Sequence, residues 1–141
     1  RASVAGGGVT GGPVIAELEL LLVSRREHAT YNSVGHALPA LFRRRPYNPA
    51  YLNPDDARRL GASEGAIVVI ESAAGEVRAV AHPASDVREG VVSMAHGFDS
   101  TGGPAGAANA ATLVDDVNGS DALSGLPRMS AIPVRVRLAA A

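Results

Sequence analysis

The stretch Asn48-Pro49-Ala50-Tyr51-Leu52-Asn53-Pro54-Asp55-Asp56-Ala57-Arg58-Arg59-Leu60-Gly61-Ala62-Ser63-Glu64-Gly65-Ala66-Ile67-Val68-Val69-Ile70-Glu71-Ser72 decides how the chain folds. It reads as an extended segment, one or two capped helical turns, a glycine-hinged corner and a β-branched strand. Asn53 stands at an N-cap, where a side-chain oxygen accepts a hydrogen bond from a backbone N–H of the first turn. Pro54 suits the first helical position, because the N–H it lacks has no intrahelical partner there. Asp55 and Asp56 meet the positive end of the helix dipole, and Arg58 and Arg59 lie toward the negative end. Gly61 supplies a left-handed stop. These residues predict a short helix over 54–60. Their fit to capping gives Asn53 and Asp55 structural roles rather than ligand-binding ones.

Strand signals flank this centre. Glu17 to Val23 begins with period-two alternation and then runs apolar, which predicts a strand that becomes buried on both faces. Residues 24–37 predict a loop, and residues 37–45 a short helical turn ended by Pro46. A short strand over 50–52 precedes the helix. Ala66 to Ser72 and Glu76 to His82 predict a hairpin around Ala73-Ala74-Gly75. Val91 to Ala95 predicts a buried strand, and Ile132 to Leu138 alternates as a half-exposed one. Between them, residues 96–128 are rich in Gly, Ala, Asn, Asp and Ser with little apolar periodicity. Such a segment inside a compact domain is usually functional or mobile. Five or six short strands, one or two short helices and long connections predict a mainly-β fold, a small barrel rather than a βαβ array. No internal repeat is visible.

Bulk composition narrows the function classes. The chain has 141 residues, 46% of them hydrophobic and only 4% aromatic, so the core must be built from Val, Leu, Ile and Ala. A net charge of −1 gives no global pull toward nucleic acid or an anionic membrane. No apolar run approaches the roughly 20 residues that a spanning helix needs. With no cysteine, the chain itself cannot supply a disulfide, a thiolate metal ligand, an iron–sulfur ligand or a cysteine nucleophile. The opening residues 1–14 are glycine-rich and read as a flexible linker, which leaves residues 15–141 as one domain. They lack a signal-peptide pattern, which favours a cytoplasmic location, and they suggest a piece of a longer polypeptide.

The densest chemistry lies in Ser24-Arg25-Arg26-Glu27-His28-Ala29-Thr30-Tyr31-Asn32-Ser33-Val34-Gly35-His36. Guanidinium groups offer a planar fork of donors to phosphate oxygens. Asn and Ser can hydrogen-bond a heterocycle edge or a phosphate. A ligand with a diphosphate and a polar bicyclic ring would use this set. A solvated loop, with its arginines paired to Glu27 and to aspartates elsewhere, accounts for the same residues. Adjacent side chains of an extended segment face opposite ways, so the sequence leaves open which of Arg25 and Arg26 would point at a ligand. Arg43-Arg44-Arg45 reads as a solvated corner or an inter-domain ion-pair surface. His96, at a strand end, suits either a ligand contact or a structural role, and His28 and His82 have no metal-ligand spacing.

Taken in order, these motifs resemble the molybdopterin-dinucleotide-binding domain that closes the large subunits of molybdenum and tungsten oxidoreductases. Arg25-Arg26-Glu27 followed by Asn32-Ser33 and His36 is similar to the family pattern after its first strand. Asn53-Pro54-Asp55-Asp56-Ala57, Gly61…Gly65, Gly90-Val91-Val92, His96-Gly97, Asn109 and Asp121-Ala122-Leu123-Ser124-Gly125-Leu126-Pro127 continue it, and Pro133-Val134-Arg135-Val136 ends it. The resemblance spans residues 15–138. It implies a double-psi β-barrel that binds the bis-pterin dinucleotide cofactor, usually molybdopterin guanine dinucleotide carrying Mo or W, in a formate dehydrogenase- or nitrate reductase-like enzyme. Carried over by position, Arg26, with Glu27 beside it, would face the pterin or diphosphate, with Arg25 kept as a second cofactor-binding candidate. Asn32, Ser33, His36 and His96 would line the ligand's path. Asn109 would reach it from the long loop, and Arg128 stands near a position where relatives often carry an aromatic followed by Lys. Val34-Gly35 departs from the bulkier pair common in relatives, which bears on His36. The implied partners are the other domains of a parent oxidoreductase, with no catalytic residue in this chain. The rival reading is a double-psi barrel used as a protein-binding adaptor, like the N-terminal domains of some AAA ATPases. A self-contained barrel enzyme is disfavoured, since no nucleophile–base set is evident.

Overall fold

Alternation of side chains along six strands builds the architecture. In a computed structural model, which describes residues 16–28, 31–35, 38, 40, 47–98 and 108–140, the strands are β1 (Glu17–Arg25), β2 (Pro49–Leu52), β3 (Ile67–Glu71), β4 (Glu76–Pro83), β5 (Val91–Ala95) and β6 (Ile132–Leu138). They close into a barrel in the order β1-β5-β2-β4-β3-β6. The pairs β1·β5 and β2·β4 are parallel and the other four are antiparallel. Exchanging the first three strands for the last three returns the same ring with the same pair directions. This two-fold pattern, absent from the sequence as a repeat, is the double-psi barrel that the motifs led us to expect.

Every second residue points inward, as strand geometry requires. Leu20, Leu22, Ala50, Leu52, Val68, Ile70, Val77, Ala79, Ala81, Val92, Met94, Ile132, Val134 and Val136 fill the interior. Among the described residues this aliphatic core contains no aromatic ring, in keeping with the composition.

Two sequence expectations for β1 need correction. The strand does not end at Val23 with a loop from Ser24, because its parallel pairing with β5 carries on to Arg25 opposite Ala95. Nor is it buried on both faces: Leu20 and Leu22 are buried, whereas Leu21 is 43% exposed. A small barrel has one interior, and an outward side chain is covered only where another segment crosses it. The helical turn expected over residues 37–45 falls almost wholly outside the described residues. Within residues 96–128, Ala110–Leu113 forms a 3₁₀ turn that the composition did not signal.

The helix, α1 (Pro54–Leu60), has the predicted ends. The Asn53 side chain accepts from the Asp55 N–H at 2.8 Å, and Gly61 adopts φ 70°. Ala57 and Leu60 turn into the core. Asp56 does more than complement the dipole, since its side chain is fully buried. It accepts from the Gly90 N–H at 2.7 Å and from Arg59 at 3.1 Å. One carboxylate thus ties the helix to the turn that launches β5. Replacing Asp56 by Ala removes a charge-assisted bond and leaves the Gly90 N–H unpaired, at a cost of about 3 kcal/mol. Urea unfolding of Asp56→Ala checks this; a loss below roughly 1 kcal/mol would make the contact no better than a surface ion pair.

Candidate functional site

Strand directions sort the chain's chemistry to one end of the barrel. β1, β3 and β5 run toward that mouth, while β2, β4 and β6 run away from it. α1 follows β2 and so closes the opposite end. Arg25, Arg26 and Glu27 leave β1 at the mouth, His96 leaves β5 there, and Asn109 and Arg128 lie on the connection from β5 to β6.

The alternation that buries Leu20 and Leu22 carries Ser24 and then Arg26 onto the rim on the interior side. There Arg26 Nη1 donates to Asn32 Oδ1 at 2.8 Å. His96 Nε2 lies 2.9 Å from the same oxygen. Guanidinium can only donate, so the atom facing it is the amide oxygen, and His96 must carry its hydrogen on Nε2. Arg26, Asn32 and His96, from three separate segments, therefore form one group. Asn32 occupies a tight turn held by reciprocal backbone bonds between Tyr31 and Val34, at 3.2 and 2.9 Å. Its φ of 54° is a left-handed value that Asn tolerates better than most residues. Gly97 packs directly on this turn: a Cβ there would lie 2.6 Å from the carbonyl carbon and oxygen of Asn32. Nearby, Ser24 Oγ donates to the Met129 carbonyl at 2.6 Å, and Ser130 Oγ accepts from the Ser24 N–H at 3.2 Å. The result is an open cleft of about 270 Å³ lined by Ser24, Arg25, Arg26, His96 and Met129.

Arg25 faces the other way. Its guanidinium lies 3.7 Å from the Tyr51 ring centroid, a cation–π contact. It also pairs with Glu27 and Asp86, each at 3.7 Å. At that separation the charges attract but form no hydrogen bond. Among the described residues, Arg25 Nε and Glu27 Oε1 are buried atoms without a hydrogen-bond partner. Tyr51 in turn meets the His82 ring edge-on at 5.0 Å, and His82 Nδ1 lies 2.6 Å from Glu64. His82 therefore belongs to a packing row on the barrel's outer face. Among the described residues, no His, Asp and Glu cluster could hold a metal ion.

Those of the remaining predicted residues that the structure describes are dispersed around the mouth. Ser33 is exposed in the Asn32 turn, and His36 lies outside the described residues. Asn109 caps the 3₁₀ turn, its side chain accepting from the Ala111 N–H at 3.0 Å. Arg128 lines a second cleft, of about 320 Å³, with Ser72, Asp115, Asn118 and Ser120. Asp115 and Asp121 each accept from two backbone N–H groups and one side chain, which orders residues 115–124. Hydrogen bonding led by Asn118 and Ser124, respectively, holds both carboxyls below the ordinary value of 3.8. Asn48 was not singled out by its sequence, yet it is 2% exposed and makes three hydrogen bonds at the mouth. A single amide ahead of an apolar strand carries no periodic signal that would have exposed it.

Residues 20–127 match the family described as Molydopterin dinucleotide binding domain. The chain belongs to this molybdopterin dinucleotide-binding family. Its barrel is also similar to part of the acetylene hydratase from Pelobacter acetylenicus, with a TM-score of 0.74 and 25% sequence identity. The match covers 85% of this chain and 18% of the hydratase chain. No curated protein matches the chain in sequence. The donor set suits the family's ligand. A pterin dinucleotide has phosphate oxygens that need donors and ring N–H groups that need acceptors. The rim offers the remaining N–H groups of the Arg26 guanidinium for the former and the other ring nitrogen of His96 for the latter, whereas Glu27 Oε1 is buried beside Arg25 and does not line the cleft.

Two outcomes follow. Gly97→Ala must push the Asn32 turn away and force Ala into a left-handed φ, costing roughly 1–2 kcal/mol; amide shifts at residues 31–34 with a lowered thermal midpoint check this, and an unchanged turn would contradict the contact. For Asp115 and Asp121, the folded-state pKa lies below the unfolded one. Their stabilisation is therefore present above the unfolded value and is lost as pH falls through the folded value. Acid titration followed by NMR should move the Val117, Asn118, Leu123 and Ser124 amides at a pH below 3.8; midpoints above it would refute the shift.

Proposed function

We propose that this chain is the cofactor-gripping domain of a molybdenum or tungsten oxidoreductase, and that the mouth opposite α1 receives molybdopterin guanine dinucleotide. The observation that carries this reading is the convergence of Arg26 and His96 on the amide oxygen of Asn32 at the rim. A lone arginine on a polar loop is unremarkable, whereas a guanidinium fixed on an acceptor that an imidazole also holds keeps its remaining N–H groups preorganised as donors.

In this reading Arg26 binds phosphate or pterin oxygens, and Asn32 and His96 fix its direction. Arg25, turned onto Tyr51, and Glu27, buried beside it, form a charged support under the rim rather than a ligand contact. Ser33 lines the approach, with Asn109 and Arg128 on the far side. When bound, the cofactor supplies a redox-active metal held by its dithiolene sulfurs, while the protein supplies binding and electrostatics. This chain, without cysteine, gives that metal no thiolate. The isolated chain is then catalytically inert, with activity residing in a longer polypeptide whose other domains complete the site. The Arg-Arg-Glu…Asn-Ser order supports a formate dehydrogenase-like parent.

Docking of another protein is favoured by a separate observation: Leu123 is 99% exposed and Leu126 67% exposed on an ordered loop. The two readings diverge on Arg26. In the full-length enzyme, Arg26→Ala should lower retained Mo or W at least tenfold while the thermal midpoint of the barrel stays near wild type. Wild-type metal content in a folded Arg26→Ala enzyme would sink the cofactor reading.

A further inference from the structure

We infer that Asn48 is a positioning residue for cofactor binding, holding together the point where the chain leaves the barrel before His96 and the point where it returns before Asn109. The inference rests on the proposed function, because it gives His96 and Asn109 their meaning as ligand-facing residues.

Asn48 Nδ2 donates to the Ala95 carbonyl at 2.8 Å and to the Ala108 carbonyl at 2.9 Å. Its Oδ1 accepts from the Ala95 N–H at 3.2 Å. Both amide hydrogens and the oxygen are therefore used, and the side chain is buried. Ala95 is the last residue of β5 and the direct neighbour of His96. Ala108 is buried and is the direct neighbour of Asn109, whose side chain starts the 3₁₀ turn. One amide thus spans two backbone sites that are 13 residues apart in sequence. It fixes where His96 begins relative to Asn109.

No other common side chain of this size fits the three demands. Two of the partners are carbonyls and need donors, while the third is an N–H and needs an acceptor. Asp can serve only the N–H and would set a carboxylate against two carbonyl oxygens. Leu matches the shape but leaves all three backbone groups unpaired away from water. The residue touches neither Arg26 nor the cleft, so its effect on a ligand must pass through the two ends it joins.

The test uses this 141-residue chain, labelled with ¹⁵N, and GDP as the probe. In wild type, the paired Asn48 side-chain amide signals should move on titration with the same Kd as the His96 and Asn109 backbone amides. In Asn48→Asp, the β3–β4 core amides should stay in place, those of residues 95–97 and 108–110 should shift together before any ligand is added, and GDP affinity should fall tenfold or more. Wild-type affinity in a folded Asn48→Asp chain, or shifts at one end alone, would overturn the positioning role. If Asn48→Asp does not fold, the wild-type side-chain signals decide: failure to move while His96 and Asn109 titrate overturns it, and a shared Kd supports it. No GDP response anywhere in wild type would instead count against the cofactor reading, and the Asn48 role in binding would fall with it. The coordinated shifts at both ends in ligand-free Asn48→Asp would then still report the clamp as structure alone.

Discussion

Parallel pairing of β1 with β5 is the constraint on which the rest of this protein depends. It joins the two strands whose far ends carry Arg26 and His96, and it sets them in register up to Arg25 opposite Ala95. The antiparallel pairing of β1 with β6 then closes the ring. With closure fixed, inward and outward faces are no longer negotiable, and each rim residue inherits its direction from the strand below it. A slip of one residue would send Arg25 to the Asn32 turn and Arg26 to Tyr51. The core and the rim chemistry are therefore one register problem.

Much of this was legible in the sequence, though unevenly. Asn53, Pro54 and Gly61 announce α1 because helix ends are governed by local backbone chemistry. The hairpin around Ala73-Ala74-Gly75 and the alternation of Ile132 to Leu138 are local too. The end of β1 was misjudged because Ser24 and Arg25 look like loop residues. Only their pairing with a strand some 70 residues away in the chain keeps them extended. For the same reason the sequence could not say which arginine faces the Asn32 turn. Asn48 was invisible as a three-way hydrogen-bonding centre, because its partners Ala95 and Ala108 have ordinary side chains and contribute only backbone. The order of family motifs located the mouth's residues, but only the fold joins Asn32 to both Arg26 and His96.

The two adjacent arginines show how one dipeptide serves two environments. Arg25 is covered by aromatic contact and flanked by Glu27 and Asp86, so its charge is largely compensated within the protein. Arg26 is exposed and pairs with a neutral amide, so its charge is not offset by a carboxylate in that group. Desolvating Arg26 without an anion would be costly, whereas Arg25 already has its counter-charges. The barrel thus divides one basic motif into a structural cation and an available one.

The two-fold pattern of the ring carries a consequence for how such a barrel can diverge. Under it, the connection at residues 84–90 corresponds to residues 26–48, and residues 53–66 correspond to residues 96–131. The short member of each pair lies at the helix-closed end and the long member at the mouth. Lengthening a flexible connection by these ratios costs about 1 kcal/mol of closure entropy each, a small sum beside a shared core that need not change. One end of the barrel can therefore remain a conserved foundation while the other accumulates insertions, so that new ligand contacts arise by growth at a single pole without renegotiating any strand pair.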